Sequence, residues 1–120
     1  MAISVLVVDD DPSAIRLAVR VLSDIEVEVA ATAGDAATAI QAANSAKPDA
    51  ALVDIGLPDR DGIDLAYELA ALPWRPRVVL MSSDVDAVNG IESRAGRDPL
   101  PFLPKQELTD GRLRRLLTSE

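Results

Sequence analysis

The spacing of apolar positions changes along the chain, and the first two patterns predict a buried strand followed by a helix. Residues 5–8 are apolar at every position, which is typical of a strand covered on both faces. After them, Ile15, Ala18, Val19 and Leu22 recur at the spacing of one helix face. We therefore expect a strand–helix unit in this part of the chain.

Four further segments have the pattern of strands. Residues 25–29 alternate apolar with charged side chains, which favours a half-exposed strand at the edge of a sheet. Residues 50–53 and 78–81 are short apolar runs, and residues 102–103 form a shorter one after a loop rich in Gly and Pro. Together with the first run, these segments predict five strands.

Helical segments separate the predicted strands. One begins near Asp35 and ends before Pro48, and the next has an apolar stripe over residues 65–72 and ends at Pro73. Residues 85–91 predict only a short helix, since Asn and Gly interrupt its apolar positions. Leucines at positions 113, 116 and 117 predict a last helix, for which Thr109 is the expected N-cap.

Strands that alternate with helices indicate an α/β domain, a doubly wound five-stranded parallel sheet of the flavodoxin-like kind. The edge pattern of the second strand favours the strand order 2-1-3-4-5. The chain has 120 residues, so we expect one domain over residues 1–120. In this order the first and third strands are neighbours, and the sheet changes direction of winding between them.

Composition narrows the possible functions. Hydrophobic residues make up 48% of the chain and aromatic residues 2%, so the core must consist mainly of aliphatic side chains. The chain has no Cys and no His, which excludes disulfides and removes the commonest general base. A net charge of −8 argues against direct binding of nucleic acid. Because we find no apolar run of membrane-spanning length and no signal peptide, we expect a cytoplasmic protein without membrane association.

Acidic, hydroxyl and ammonium side chains stand at the ends of four predicted strands. Asp9 and Asp10 follow the first strand, and Asp54 follows the third. Ser82 and Lys105 follow the fourth and the fifth. Ligands of such sheets bind beyond the carboxyl ends of the strands, where the winding changes direction. We therefore expect these side chains to converge on one cleft.

The chemistry of this set suits a hard cation together with a phosphoryl group. Carboxylates without His or Cys favour Mg²⁺, which often shares its ligand shell with phosphate. The hydroxyl of Ser82 and the ammonium of Lys105 are surplus for a metal site alone, but both could stabilise phosphoryl oxygens. A carboxylate can act as a nucleophile and form an aspartyl-phosphate. Asp54 is the best candidate because it stands alone at the end of the central strand.

Simpler explanations exist for each of these residues. Asp11 before Pro12 is a good helix start, and the neighbouring acids could be loop or cap residues. Asp54 could form an Asx-turn, and Lys105 could be a solvated loop lysine. Asp59, Arg60 and Asp61 are interpreted as solvated loop residues, and Trp74 as the anchor of a loop.

Four segments in order, "VVDDDP", "LVDIGLPDRDG", "VVLMSS" and "FLPK", resemble the receiver domain of two-component response regulators. The resemblance covers nearly the whole chain. It implies that Asp9 and Asp10 hold Mg²⁺ together with Asp54, which accepts the phosphoryl group. It also implies that the backbone carbonyl of Gly56 completes the metal shell.

The resemblance assigns the remaining roles as well. Ser82 matches the switch hydroxyl, Phe102 the aromatic residue that changes rotamer with it, and Lys105 the lysine of the family pattern. The implied partners are a sensor histidine kinase or phosphotransfer protein, and a downstream protein that binds the face of the fourth helix, fifth strand and fifth helix. The resemblance leaves open whether the chain forms a homodimer. The implied function is that of a phosphorelay receiver, with a stand-alone single-domain regulator as one form of it. No enzymatic activity is expected beyond self-catalysed phosphorylation and dephosphorylation.

Two departures and three alternatives accompany this interpretation. Gln106 stands where many family members have Pro, so a cis Lys–Pro bond is absent, and residues 97–101 are unusually rich in Pro. The D-x-D spacing in residues 9–11 also occurs in phosphatases of the haloacid dehalogenase type. A receiver-like docking module that is not phosphorylated is a second alternative. An FMN-binding flavodoxin is a third, although a phosphate loop rich in Ser, Thr and Gly is missing after the first strand.

Overall fold

We describe a computed structural model of the chain, which covers residues 3–83, 100–109 and 111–118. The predicted helix over residues 85–91 lies outside the described residues. The strands are β1 (Ser4–Val8), β2 (Glu28–Ala33), β3 (Ala50–Asp54), β4 (Arg77–Ser82) and β5 (Phe102–Pro104). The helices are α1 (Pro12–Asp24), α2 (Ala36–Ala46), α3 (Gly62–Ala70) and α4 (Arg112–Thr118), and a 3-10 turn spans Lys105–Glu107.

The five strands form one sheet in the order β2-β1-β3-β4-β5, and every pair is parallel. The predicted fold class and strand order are therefore confirmed. In the register of the central strands, Val8 of β1 lies opposite Val53 of β3. The residues that follow these two positions consequently emerge side by side at the carboxyl edge of the sheet.

Side chains of the central strands alternate between two helix layers. Leu6 and Val8 pack in the layer that contains α2 and α3. Val5 and Val7 pack in the opposite layer, with α1 and α4. All four are buried, as expected for the apolar run that the sequence shows, because a strand covered on both faces has no wet side. The core therefore lies on both faces of the sheet, and polar side chains are accommodated at the ends of the strands.

The predicted position of the second strand is wrong. It was expected over residues 25–29, whereas β2 spans Glu28–Ala33. Ile25 ends α1, and Glu26 takes a left-handed conformation with φ of 62°. The backbone N–H of Val27 then donates to the carbonyl of Leu22 at 2.9 Å. The alternating pattern thus begins in the turn after α1, and its local period could not separate this turn from the strand.

Helix ends agree with the sequence in some places and differ in others. Asp11 caps α1, since its side chain accepts from the N–H of Ser13 at 2.9 Å. The third helix ends at Ala70, before the expected Pro73. The expected N-cap role of Thr109 is wrong, because α4 begins only at Arg112. No helix in the described ranges is long and apolar enough to cross a membrane.

Candidate functional site

The carboxyl ends of β1 and β3 bring two acidic side chains together below the protein surface. Asp54 is the last residue of β3, and Asp9 follows β1 directly. The N–H of Asp9 donates to the carbonyl of Ala33 at 3.0 Å, which extends the contact between β1 and β2 by one residue. Asp9 is fully buried and Asp54 is 5% exposed. Burial of charged carboxylates is unfavourable unless cations or hydrogen bonds compensate it.

A third carboxylate completes an acidic cluster at this edge. One carboxylate oxygen each from Asp9, Asp10 and Asp54 lies within 4.8 Å of the others. Asp10 is exposed, whereas the other two are buried. All of these ligand atoms are hard oxygens, and the exposed member leaves the cluster open to solvent. The arrangement fits Mg²⁺, which prefers oxygen ligands and keeps several waters.

Lys105, which follows β5, reaches into the acidic cluster. Its Nζ lies 2.6 Å from Oδ2 of Asp9 and 3.5 Å from Oδ1 of Asp54. Asp9 Oδ1 accepts from the N–H of Asp11 at 2.9 Å. Its buried Oδ2 accepts no hydrogen bond of regular geometry among the described residues, so the ion pair with Lys105 is its close contact. The lysine therefore neutralises part of the charge of the cluster, and each oxygen of Asp9 has one close contact.

The surroundings raise the pKa of Asp54 above its ordinary value of 3.8. Burial is the main cause, and the charge of Asp9 adds to it. The charge of Lys105 and the backbone N–H of Gly56 act in the opposite direction without cancelling the rise. The raised pKa of Asp54 therefore reflects burial first and repulsion between the two carboxylates second.

The same cluster also shifts the pKa of Lys105. Burial by itself would lower the pKa, but the close contact with Asp9 and the charges of Asp54 and Asp9 raise it above 10.5. The lysine is therefore held in its charged form next to the two buried acids. A compact ammonium in this place can transfer its contacts to any anionic group that enters the cleft.

The cleft above the cluster has a volume of about 410 Å³. Ser82, the last residue of β4, is 6% exposed and lines this cleft. Phe102 lies in β5 opposite Leu80 of β4, and it is half-buried against the layer of α2 and α3. The structure thus places Phe102 beside the core rather than in the cleft. The cleft is lined by Asp10, Asp11, Asp54, Ile55, Gly56, Ser82, Ser83 and Lys105.

Two glycines lie near Asp54, and only the second of them requires the absence of a side chain. A Cβ on Gly56 would lie 3.6 Å from Oδ2 of Asp54, which is an ordinary contact. A Cβ on Gly62 would lie 2.3 Å from the carbonyl oxygen of Asp54 and 2.5 Å from Cα of Ile55, which no side chain can occupy. The first turn of α3 therefore packs directly on the backbone of Asp54, and only Gly permits this approach.

The interpretation of Asp59 as a solvated loop residue is wrong in one respect. Its side chain is exposed, but Oδ1 accepts from the N–H of Ala36 at 2.9 Å and Oδ2 from the N–H of Ala37 at 3.2 Å. The N–H of Ala36 is the main cause that lowers the pKa of Asp59 below 3.8. The partners are 23 and 22 residues away in the sequence. No local signal could reveal this contact.

The other loop residues between β3 and β4 form a helix cap, an ion pair and an anchoring hydrogen bond. Asp61 caps α3, because its side chain accepts from the N–H of Ile63 at 2.8 Å. Arg60 forms an exposed ion pair with Glu68 at 3.1 Å. The expected anchor role of Trp74 is confirmed, since its Nε1 donates to the carbonyl of Pro48 at 2.9 Å.

The sheet order and the acidic cleft define an α/β domain of the signalling-receiver class. The chain belongs to the response regulator receiver domain family, whose sequence model matches residues 5–108. This membership is consistent with phosphorelay signalling, and the phosphatase and docking-module alternatives are not favoured.

Curated relatives support this membership over most of the chain. The DNA-binding response regulator MtrA of Mycolicibacterium smegmatis is 38% identical over 105 residues, which cover 85% of this chain and 46% of MtrA. A protein-glutamate methylesterase/protein-glutamine glutaminase of Anaeromyxobacter dehalogenans is 36% identical over 104 residues, with 86% of this chain and 30% of that protein covered. The chain thus spans less than half the length of these two relatives.

Solved structures agree on the architecture. The signal receiver domain of NarL from Mycobacterium tuberculosis has a TM-score of 0.77 at 29% identity and covers 96% of both chains. The receiver domain of PhyR from Erythrobacter litoralis has a TM-score of 0.83 at 21% identity, with 98% of this chain and 91% of that chain covered. The second similarity concerns the fold alone.

Proposed function

We propose that Asp54 is the residue that accepts the phosphoryl group, from a sensor histidine kinase or a phosphotransfer protein. The observation that carries this proposal is the position of its carboxylate. It is buried at the end of β3, lies against the ammonium of Lys105 and still lines an open cleft. In the transfer, a carboxylate oxygen of Asp54 forms a bond to phosphorus. The bond between phosphorus and the donor atom breaks, and the donor leaves with its electron pair.

The acidic cluster is proposed to hold Mg²⁺. Asp10 and Asp54 would bind it directly, Asp9 would help through water, and the carbonyl of Gly56 would complete the protein ligands. Asp9 suits an indirect role because its two oxygens already contact Lys105 and the N–H of Asp11. A bound Mg²⁺ would neutralise charge on the phosphoryl oxygens. Receiver domains as a family bind this ion, and the hard-oxygen donor set here fits it.

Lys105 and Ser82 would complete the site once the phosphoryl group is present. The ammonium of Lys105 lies 3.5 Å from Asp54 and could bind a phosphoryl oxygen by a small movement. Ser82 would donate its hydroxyl hydrogen to another oxygen, as the family pattern implies. Phe102 would follow this movement and repack the face around β5. Two observations support the switch: Ser82 lines the cleft, and Phe102 lies two strand positions earlier on the neighbouring strand.

The wider biology is proposed from the family and from charge. The chain would form one cytoplasmic domain over residues 1–120 and act without enzymatic activity beyond its own phosphorylation and dephosphorylation. It would bind a downstream protein through the face that includes β5 and α4, the helix that corresponds to the fifth predicted one. A homodimer could form through the same face. The family resemblance assigns the predicted fourth helix to the same face, and this helix lies outside the described ranges. A net charge of −8 disfavours direct contact with nucleic acid.

The test is phosphorylation by a small donor. We expect wild type to gain one phosphoryl group from acetyl phosphate in the presence of Mg²⁺, as measured by intact mass. When EDTA is present during the reaction, wild type should gain none. Asp54→Asn should gain none, whereas Asp61→Asn, a matched change in a nearby acid, should behave like wild type. A phosphoryl group on Asp54→Asn would show that another residue is the acceptor.

A second assay separates a receiver from a phosphatase. A receiver should release at most its own bound phosphate, so a phosphate monoester such as p-nitrophenyl phosphate should not be turned over repeatedly. Sustained turnover that is lost in Asp54→Asn would instead indicate a phosphatase, and it would contradict the proposed receiver function.

A further inference from the structure

The loop between β3 and α3 carries Gly56 and joins the acidic cluster to the rest of the fold. The loop begins at Ile55, whose N–H donates to the carbonyl of Met81 at 3.1 Å. At its end, the N–H of Gly62 donates to the carbonyl of Ile55 at 3.2 Å. Most of the loop in between is exposed. Ordering an exposed loop costs conformational entropy, so contacts in its middle determine how well it is fixed.

Asp59 provides a contact of this kind, and the contact leads to another element. Its two carboxylate oxygens accept from the N–H groups of Ala36 and Ala37, at 2.9 and 3.2 Å. These are the first two residues of α2. Their N–H groups have no partner within the helix, because the first turn lacks a preceding turn of carbonyls. A carboxylate is also favoured there by the helix dipole.

The start of α2 is therefore capped by two acids from different places. Asp35 is the local N-cap, since its side chain accepts from the N–H of Thr38 at 2.7 Å. Asp59 supplies the remaining acceptors from the loop that follows β3. Both acids stabilise α2, but only the bond through Asp59 also fixes the loop that contains Gly56. This difference allows the two roles to be separated by experiment.

We propose that Asp59 is a positioning residue for the acceptor loop, which holds the Gly56 carbonyl at the acidic cluster by fastening the loop to the start of α2. The inference rests on the proposed Mg²⁺ site. Only Leu57 and Pro58 lie between Gly56 and Asp59, so release of the carboxylate would free the segment that presents this carbonyl. Leu57 packs partly against the core and limits the movement. The loop should therefore loosen rather than unfold.

The experiment compares Asp59→Ala with Asp35→Ala in Mg²⁺ titrations of the full chain, followed by amide NMR shifts of Gly56 and by calorimetry. Loss of either cap should lower the melting temperature, because each removes acceptors from the same helix end. Only Asp59→Ala should also weaken Mg²⁺ binding. The expected rise in Kd is roughly tenfold, the lower end of what supporting residues around metal ligands contribute. Asp59→Asn keeps one acceptor oxygen and should fall between wild type and Asp59→Ala.

The outcomes distinguish the inference from the proposal beneath it. If wild type does not bind Mg²⁺, the proposed metal site is wrong and the positioning role falls with it. If wild type binds and Asp59→Ala binds equally well, Asp59 is a structural cap and the positioning role is wrong. Equal weakening in Asp35→Ala would also overturn it, since general loosening of α2 would then explain the effect. Should Asp59→Ala not fold, Asp59→Asn against Asp35→Asn gives the same comparison.

Discussion

Polar groups are arranged differently at the two edges of the sheet. At the amino edge, the N–H of Ser4 donates to the side chain of Asp49 at 2.9 Å, and the N–H of Asp49 donates back to the carbonyl of Ser4 at 2.9 Å. Arg77, the first residue of β4, donates from Nε to the carbonyl of Leu116 in α4 at 2.7 Å. Each of these donors has a nearby acceptor, and the groups involved are largely exposed.

At the carboxyl edge, by contrast, charge is buried and only partly compensated. Asp9 and Asp54 lie below the surface with one ammonium between them. Burial and repulsion raise the pKa of Asp54, which means that its charged form is unfavourable there. The amino edge thus contributes stability, whereas the carboxyl edge gives up stability to keep a site ready for a cation and a phosphoryl group.

The largest loss of stability is expected for a substitution of Gly62, where α3 packs on the backbone of Asp54. Gly62→Ala should destabilise the fold by about 3 kcal/mol, because its Cβ would lie 2.3 Å from the carbonyl oxygen of Asp54. Urea denaturation measures this loss. Gly34→Ala is the matched control, since its Cβ would lie 4.0 Å from the carbonyl of Asp9 and should cost little. Equal stability of the two variants would show that α3 can move away from Asp54 without cost.

Removal of an acidic side chain should lower the free energy of unfolding at the amino edge and raise it at the carboxyl edge. Asp49→Ala removes the acceptor of Ser4 and should cost about 1 kcal/mol of unfolding free energy. Asp54→Asn removes a buried charge and should raise stability when EDTA keeps metal away. Urea denaturation of both variants at neutral pH gives the comparison. If Asp54→Asn proves as destabilising as Asp49→Ala, the carboxyl edge is not under electrostatic strain.

The smallest effect is expected in the pH dependence of stability. Because folding raises the pKa of Asp54 above 3.8, the folded state binds its proton more tightly than the unfolded state. The contribution of Asp54 is fully present below 3.8 and is lost as pH rises through its folded pKa. We expect wild type, relative to Asp54→Asn, to lose stability over that range in metal-free buffer. Parallel curves for the two proteins would contradict the raised pKa.

Much of the fold and of the site could be predicted because both follow from strand pattern. Runs that are apolar at every position identified the central strands, and parallel strands necessarily end at one edge. The pattern therefore predicts that Asp9, Asp54 and Lys105 lie together, and Lys105 contacts both acids in the structure.

What could not be predicted depends on contacts between distant residues. The bond from Asp59 to Ala36 exists only because α2 and the loop after β3 meet in the folded chain. The start of β2 depends on a left-handed residue, Glu26, whose side chain gives no sign of that conformation. The ion pair of Lys105 with Asp9 at 2.6 Å likewise depends on side-chain packing within the cleft. A one-dimensional pattern contains none of this information.

The most direct test of the account is the effect of Mg²⁺ on thermal unfolding. If the carboxyl edge is destabilised by uncompensated acids, Mg²⁺ should raise the melting temperature of wild type. At ten times its Kd the gain corresponds to about 1.4 kcal/mol. Asp10→Asn should lose most of this gain, and NaCl of equal ionic strength should not reproduce it. An unchanged melting curve of wild type up to high Mg²⁺ concentration, or an equal shift in Asp10→Asn, would contradict the account.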